Sequence, residues 1–174
     1  MPLTRSARCP LAPPALSAAG LDVRRSGSPV RPEGLAYSFT LPGQPRCAAV
    51  VRATVRSALT VHGLAPYADP AELVTTELIG TATKLTPGQD LYLSLRYRAG
   101  ALRIVLWDQH PRHHDPGTVA ICEGRRRRSL WLLAAVVDDW GGDWGVAEAR
   151  LPQRGVRSWV TLRRTGVGSA GSLR

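Results

Sequence analysis

The sequence predicts an α+β fold, a two-layer sandwich in which three helices cover one face of a mostly antiparallel sheet. Two runs of alternating apolar and polar residues, 91–98 and 102–108, flank the short loop Ala99-Gly100, a pattern typical of a β-hairpin. Apolar residues at helical spacing fill three further segments, which are 46–62, 71–85 and 130–140. The predicted order is therefore strand, helix, helix, strand, strand, helix, strand, strand.

The first predicted strand spans 36–41, because apolar and polar residues alternate there until Pro42 and Gly43 end the run. A helix over 46–62 follows, and Gly63 is a typical residue for ending it. The inward stripe of this helix is predicted to consist of Cys47, Val51, Val55, Ala58 and Leu59.

The helix over 71–85 is predicted to begin after Asp69 as its N-cap residue, with Pro70 at its first position. Its apolar stripe consists of Val74, Leu78, Ala82 and Leu85. Glu77, Thr81 and Lys84 lie along the border of that stripe, where a cleft would give their carboxylate, hydroxyl and ammonium groups a role. The alternative is an ordinary amphipathic helix with polar residues beside its buried face.

Asp108 continues the alternation of the second hairpin strand, which places a carboxylate on the face that should pack against helices. It serves either as a cap for the next turn or as a group for a ligand. The segment 109–128 is predicted to be irregular, and loops of this length often act as lids or binding loops. Its histidines, His110, His113 and His114, match no standard metal-ligand spacing, so a pH-sensitive loop is favoured over a metal site.

Ser129 is predicted to cap a helix over 130–140 that is apolar on all sides and therefore sandwiched against the sheet. Strands near 144–147 and over 156–163 complete the predicted fold, joined by a turn through Pro152 and Gly155. The domain organisation follows as a disordered arm over 1–34, one folded domain over 35–164 and a flexible tail over 165–174.

The composition is that of a soluble globular domain, with 174 residues, 44% of them hydrophobic and 21% charged. Neither a secretory signal nor an apolar run of membrane-spanning length is recognisable, and Cys9, Cys47 and Cys122 form no CxxC pair. These features predict a cytoplasmic protein with reduced thiols and argue against a disulfide framework or a cysteine zinc site. The net charge of +10 raises nucleic-acid binding as a hypothesis. No recognisable nucleic-acid-binding motif supports it, so the sequence argues against nucleic acid as the partner.

Four segments, in this order, resemble the actinobacterial ATP-binding regulators of the anti-sigma-factor serine kinase type. LVTTELIGTATKL (73–85) is similar to the N-box helix of that family, and LRIVLWDQHP (102–111) resembles its strand ending in D-x-S-P. RRRRSLWLLAAVVDDWG (125–141) is similar to its G-R-G-L-x-L segment, and GVRSWVTL (155–162) resembles its closing strand. The resemblance implies the ATPase-domain fold shared by histidine kinases, gyrase and the ninety-kilodalton heat-shock chaperone.

The resemblance also implies roles for individual residues. Glu77 matches the acidic catalytic residue near the phosphates, Lys84 the basic residue of the N box, and Asp108 the acceptor of the adenine amino group. Thr81 stands where the family has the asparagine that helps to hold magnesium, and His110 replaces a small hydroxyl residue. The implied nucleotide-binding set further includes Arg128, Ser129 and Leu130, and the implied cofactors are ATP and Mg²⁺.

Several departures from the family pattern weaken the catalytic prediction. A threonine hydroxyl is a poor substitute for the asparagine oxygen at Thr81, and Arg127 and Ser129 occupy the two glycine positions of the phosphate loop. Two functions therefore stay open: an ATP-binding regulator with serine/threonine kinase activity, or a nucleotide-independent pseudo-kinase that acts as an anti-sigma-like interaction module. The implied partner is a sigma factor or an anti-sigma-factor antagonist, and a homodimer is compatible with either function.

Overall fold

The computed structural model describes residues 30–149 and 154–164. The predicted arm lies outside these residues up to position 29, as do the predicted tail and the turn at Pro152. The described residues contain β1 (Ala36–Leu41), α1 (Cys47–Val61), α2 (Ala68–Leu85), β2 (Leu91–Arg98), β3 (Ala101–Asp108), α3 (Pro116–Ser129), α4 (Trp131–Asp139), β4 (Asp143–Glu148) and β5 (Val156–Arg163). Short 3-10 turns lie at Pro32–Gly34 and Ala65–Tyr67.

The five strands form one sheet in the order β1-β2-β3-β5-β4, and every neighbouring pair is antiparallel. The β2–β3 hairpin turns at Ala99 and Gly100, whose φ angles of 50° and 74° are those of a tight turn that follows the twist of the strands. The α+β class, the antiparallel sheet and this hairpin are therefore confirmed.

The core lies between one face of the sheet and the helices. Its sheet side consists of fully buried residues, which include Leu91, Leu93, Leu95, Leu102, Ile104 and Leu106. Its helix side includes the predicted stripe residues Val51, Val55, Leu59, Val74, Leu78 and Ala82. Because side chains alternate between the faces of a strand, the intervening residues of β2 and β3, such as Arg96 and Arg103, point away from this core and are exposed.

The prediction that 109–128 is irregular was wrong from Pro116 onward, because α3 occupies Pro116–Ser129. Asp115 is the N-cap residue of α3, and its carboxylate accepts a hydrogen bond from the backbone N–H of Thr118 at 2.7 Å. Pro116 then occupies the first turn, where a missing N–H has no consequence. The described chain therefore has four helices where the sequence predicted three.

Two helix ends and the covering of α4 also differ from the predictions. Helix α2 begins at Ala68, so Asp69 lies in its first turn, where its carboxylate accepts a bond from Arg56 Nη2 at 2.7 Å. Ser129 does not cap the next helix, since its hydroxyl donates to the Arg125 carbonyl at 3.1 Å. Helix α4 is not covered on all sides, because Trp131 is 69% exposed.

Among the helices of the described residues, none combines the length and the apolar character that crossing a membrane requires.

Candidate functional site around Asp108

The centre of the candidate site is Asp108, the last residue of β3, whose side chain is fully buried on the core side of the sheet. Arg126 of α3 binds this carboxylate with two hydrogen bonds, from Nη1 to Oδ2 at 2.5 Å and from Nη2 to Oδ1 at 3.2 Å. The backbone N–H of His110 donates a third bond to Oδ1 at 3.0 Å. Arg126 is itself 3% exposed at its side chain, so the ion pair is shielded from water on both sides.

The sequence brings these two groups together through one strand and one helix. The alternation of β3 that buries Ile104 and Leu106 also turns Asp108 inward. Since Cys122 and Arg126 are four residues apart, they lie on the same face of α3 and both point towards the end of β3.

A run of four arginines such as 125–128 is most simply interpreted from sequence as an exposed and solvated charge run, and for Arg126 this interpretation is wrong, because Arg126 is buried. The other three arginines are exposed. Arg127 pairs with Glu123 at 2.9 Å, and its guanidinium lies 5.6 Å from the centre of the Trp144 ring. Helical geometry thus separates one structural arginine from three surface arginines.

A buried ion pair affects the stability of the fold mainly because removing one of its partners is costly. Removing one partner leaves an uncompensated charge in the core, which typically costs about 3–5 kcal/mol. The bidentate geometry satisfies both carboxylate oxygens of Asp108. The pair therefore fixes α3 against the end of β3.

The other residues of the predicted site lie on α2 and at the C-terminal end of α3. Helix α2 carries Glu77, which is partly exposed, Thr81, which is buried, and Lys84, which is exposed. Within the described part of the chain, none of these three has a hydrogen bond or an ion pair with Asp108. At the other end of α3, Arg128 and Ser129 are exposed, and Leu130 is buried at the junction with α4.

Two cavities lie near the end of β3. The smaller, of about 50 Å³, is lined by side chains that include His110, His113, Cys122, Glu123, Arg126 and Glu148. The larger is an open groove of about 630 Å³ along the loop after β3, and its lining includes Trp107, Arg112, His114 and Arg154. Neither cavity is lined by the predicted α2 residues Glu77, Thr81 or Lys84.

The smaller cavity brings His110 into contact with Cys122. His110 Nε2 lies 3.3 Å from the Cys122 sulfur, and its Nδ1 lies 3.0 Å from the Pro111 carbonyl oxygen. A carbonyl only accepts hydrogen bonds, so Nδ1 carries the proton and Nε2 presents its lone pair to the thiol. Burial lowers the pKa of the His110 imidazole, and the positive charge of Arg126 acts in the same direction. These two effects favour the neutral form of the imidazole.

Sequence reasoning missed the roles of Arg126 and Cys122 because it missed α3. Both residues lie in a segment without apolar periodicity, so the 3.6-residue pattern that would have paired them was hidden. The helix can be identified from the residues at its N-terminus. Asp115 is the cap, Pro116 follows in the first turn, and Thr118 lies three residues after the cap.

No family model matches the sequence, and no curated protein matches it significantly.

Proposed function

We propose that this chain is a regulatory domain of the anti-sigma-factor serine kinase type, with the histidine-kinase-like ATPase fold, that acts as a nucleotide-independent protein-interaction module. The observation that carries the proposal is the buried bidentate bond between Asp108 and Arg126. By the resemblance, Asp108 holds the position that accepts the adenine amino group. Here an arginine of the same chain occupies that acceptor.

The energetic balance disfavours adenine at this position. One hydrogen bond from an adenine amino group to a carboxylate contributes about 1.5–3 kcal/mol. To make it, Arg126 would have to leave the carboxylate while its guanidinium is buried, at a cost of about 3–5 kcal/mol. The residues of this site therefore do not fit ATP in the arrangement that the structure has.

The segment expected to hold the phosphates supports the same conclusion. Residues 125–129 form the last turn of α3, so their backbone N–H groups are used within the helix instead of pointing at an anion. The C-terminal end of a helix also carries partial negative charge, which repels phosphate. The expected Mg²⁺ position is weakened as well, because Thr81 offers one buried hydroxyl in place of an amide oxygen.

The partner is proposed to bind the α3 stripe, which we define as Ile121, Arg125, Arg128 and Trp131. The first three are spaced for one face of α3, and Trp131 follows at the start of α4. Ile121 is 66% exposed and Trp131 is 69% exposed, and both arginines are exposed. Tryptophan and arginine are the residue types that dominate binding energy in protein interfaces. A sigma factor or its antagonist with an acidic surface fits this stripe.

Calorimetric titration with ATP tests the nucleotide part of the proposal. The wild-type chain, titrated with millimolar ATP with and without Mg²⁺, is expected to give no binding isotherm. Saturable binding by the wild type that Asp108→Asn abolishes would contradict the proposal. The folding of each variant is checked by circular dichroism in the same samples.

Interferometry with purified sigma factors and anti-sigma-factor antagonists from the source genome tests the partner part. We expect one of them to bind without nucleotide, and Trp131→Ala to weaken that binding by tenfold or more, as a hot-spot residue does. Tyr92→Ala is the matched control, because Tyr92 is an exposed aromatic residue on the opposite face of the sheet. Binding that requires ATP, or that Tyr92→Ala weakens as much as Trp131→Ala, would overturn this assignment.

A further inference from the structure

Three side chains with metal-binding atoms converge on the smaller cavity from two different segments. His110 and His113 come from the loop after β3, and Cys122 comes from the inward face of α3. One ligand atom of each residue lies within 4.8 Å of the others, and His110 Nε2 lies 3.3 Å from the Cys122 sulfur. In a tetrahedral zinc site the nitrogen and sulfur ligands are about 3.3–3.7 Å apart, as the Zn–N and Zn–S bond lengths require.

We propose that His110, His113 and Cys122 form a binding site for one Zn²⁺ ion that joins the loop after β3 to α3. The fourth position is left to a water molecule in the cavity. This site does not depend on the proposed function, since it involves neither nucleotide nor partner protein.

The groups around the three ligands favour a metal. The Nδ1–H of His110 donates to the Pro111 carbonyl at 3.0 Å. This bond orients the imidazole and leaves the lone pair of Nε2 free to bind a metal. Ligating histidines commonly have such a partner on their other nitrogen.

The charged side chains around the cavity are paired, so they do not exclude a cation. Arg126 lines it, but its charge is balanced by Asp108 in the buried pair. Glu123 and Glu148 line the same cavity and pair with Arg127 and Arg112, respectively. The cavity volume of about 50 Å³ exceeds the roughly 10–15 Å³ that one water molecule needs, so an ion and its water ligand have room.

The ligand set selects the class of metal. Two imidazoles and one thiolate are borderline-soft ligands, which suit Zn²⁺ and exclude Mg²⁺ and Ca²⁺, since those ions require oxygen ligands. When the Zn–S bond forms, Cys122 loses its thiol proton to solvent, so each bound ion releases one proton. The result is a link between the loop and the helix that carries Arg126.

Cobalt and zinc titrations of the full-length, reduced and metal-free protein test the site. Co²⁺ should produce a thiolate-to-cobalt charge-transfer band and the visible absorption of a tetrahedral complex, both saturating at one equivalent. Zn²⁺ should displace Co²⁺, raise the melting temperature and release about one proton per ion, measured by calorimetry in buffers of different ionisation enthalpy.

The variants identify the ligands. Cys122→Ser and His113→Gln should weaken zinc binding by about 100-fold or more, since even outer-sphere changes cost 10–100-fold. His114→Gln and Cys47→Ser are matched controls, because each removes the same residue type outside the cluster, and both should bind as the wild type does. Absence of the charge-transfer band, or a loss in His114→Gln as large as in His113→Gln, would overturn the site. Cys122→Ser is conservative, so we expect its melting temperature without metal to equal that of the wild type, and this measurement separates lost binding from unfolding.

Discussion

At the end of β3 a fully buried carboxylate needs partners, and Arg126 together with the His110 N–H supplies three donors. Neither residue could be assigned this role from the sequence without knowing that α3 is a helix. Strand alternation turned Asp108 inward, as predicted, but its partner is eighteen residues away in the chain. The sequence left two roles open for Asp108, a cap for the next turn or a group for a ligand. In the structure its carboxylate accepts a hydrogen bond from the His110 N–H in that turn and two from Arg126.

We expect Arg126→Met to lower the free energy of unfolding by about 3–5 kcal/mol, because it leaves the Asp108 carboxylate buried and unpaired. The double variant Asp108→Leu with Arg126→Met should recover most of this loss, since it removes both charges and fills the space with apolar atoms. Urea denaturation followed by circular dichroism measures both quantities. Arg125→Met, a change of the exposed neighbour, is the control and should be close to neutral. A cost for Arg126→Met as small as that of the control would mean that the pair does not hold α3.

At the scale of elements, regular alternation made the strands easy to predict. The bounds of β1, β2 and β5 agree with the sequence, because apolar residues with period two and turn residues at both ends define them. Helices α1 and α2 were found through their apolar stripes. Helix α3 lacks such a stripe, since its inward face holds Cys122 and Arg126 and its Ile121 is exposed, so only its capping residues identify it.

Asp115→Ala should loosen α3 by removing the cap. The Asp115 carboxylate accepts bonds from both the backbone N–H and the hydroxyl of Thr118, and these bonds lower the pKa of Asp115 below its usual value of 3.8. A lowered pKa in the folded state means that the stabilisation is present above pH 3.8 and is lost as the pH falls further. Faster hydrogen exchange in the first turns of α3 at neutral pH is the expected result. The difference in melting temperature between wild type and variant should shrink in acid, and a difference that persists unchanged there would contradict the role of the ionised carboxylate.

At the scale of the whole molecule, the core-side face of the sheet is covered by helices, and its other face carries Arg96 and Arg103 on adjacent strands. Together with the net charge of +10, this gives the protein a positive potential, which would speed its encounter with an acidic partner of the kind proposed above. The class of fold followed from the sequence because it depends on periodicity alone. The site residues come together because α3 packs against β3. The sequence contains no periodic pattern that predicts this contact between the two segments.

Two-dimensional NMR of the wild-type protein during an ATP titration tests the central claim most directly, because it observes the Asp108 contacts themselves. The reporters are the backbone amide of His110, which donates to Asp108, and the guanidinium protons of Arg126. With millimolar ATP and Mg²⁺, both sets of resonances are expected to stay where they are without nucleotide. A saturable shift of the His110 amide together with loss of the Arg126 guanidinium signals would show that adenine displaces the arginine, which would contradict the account.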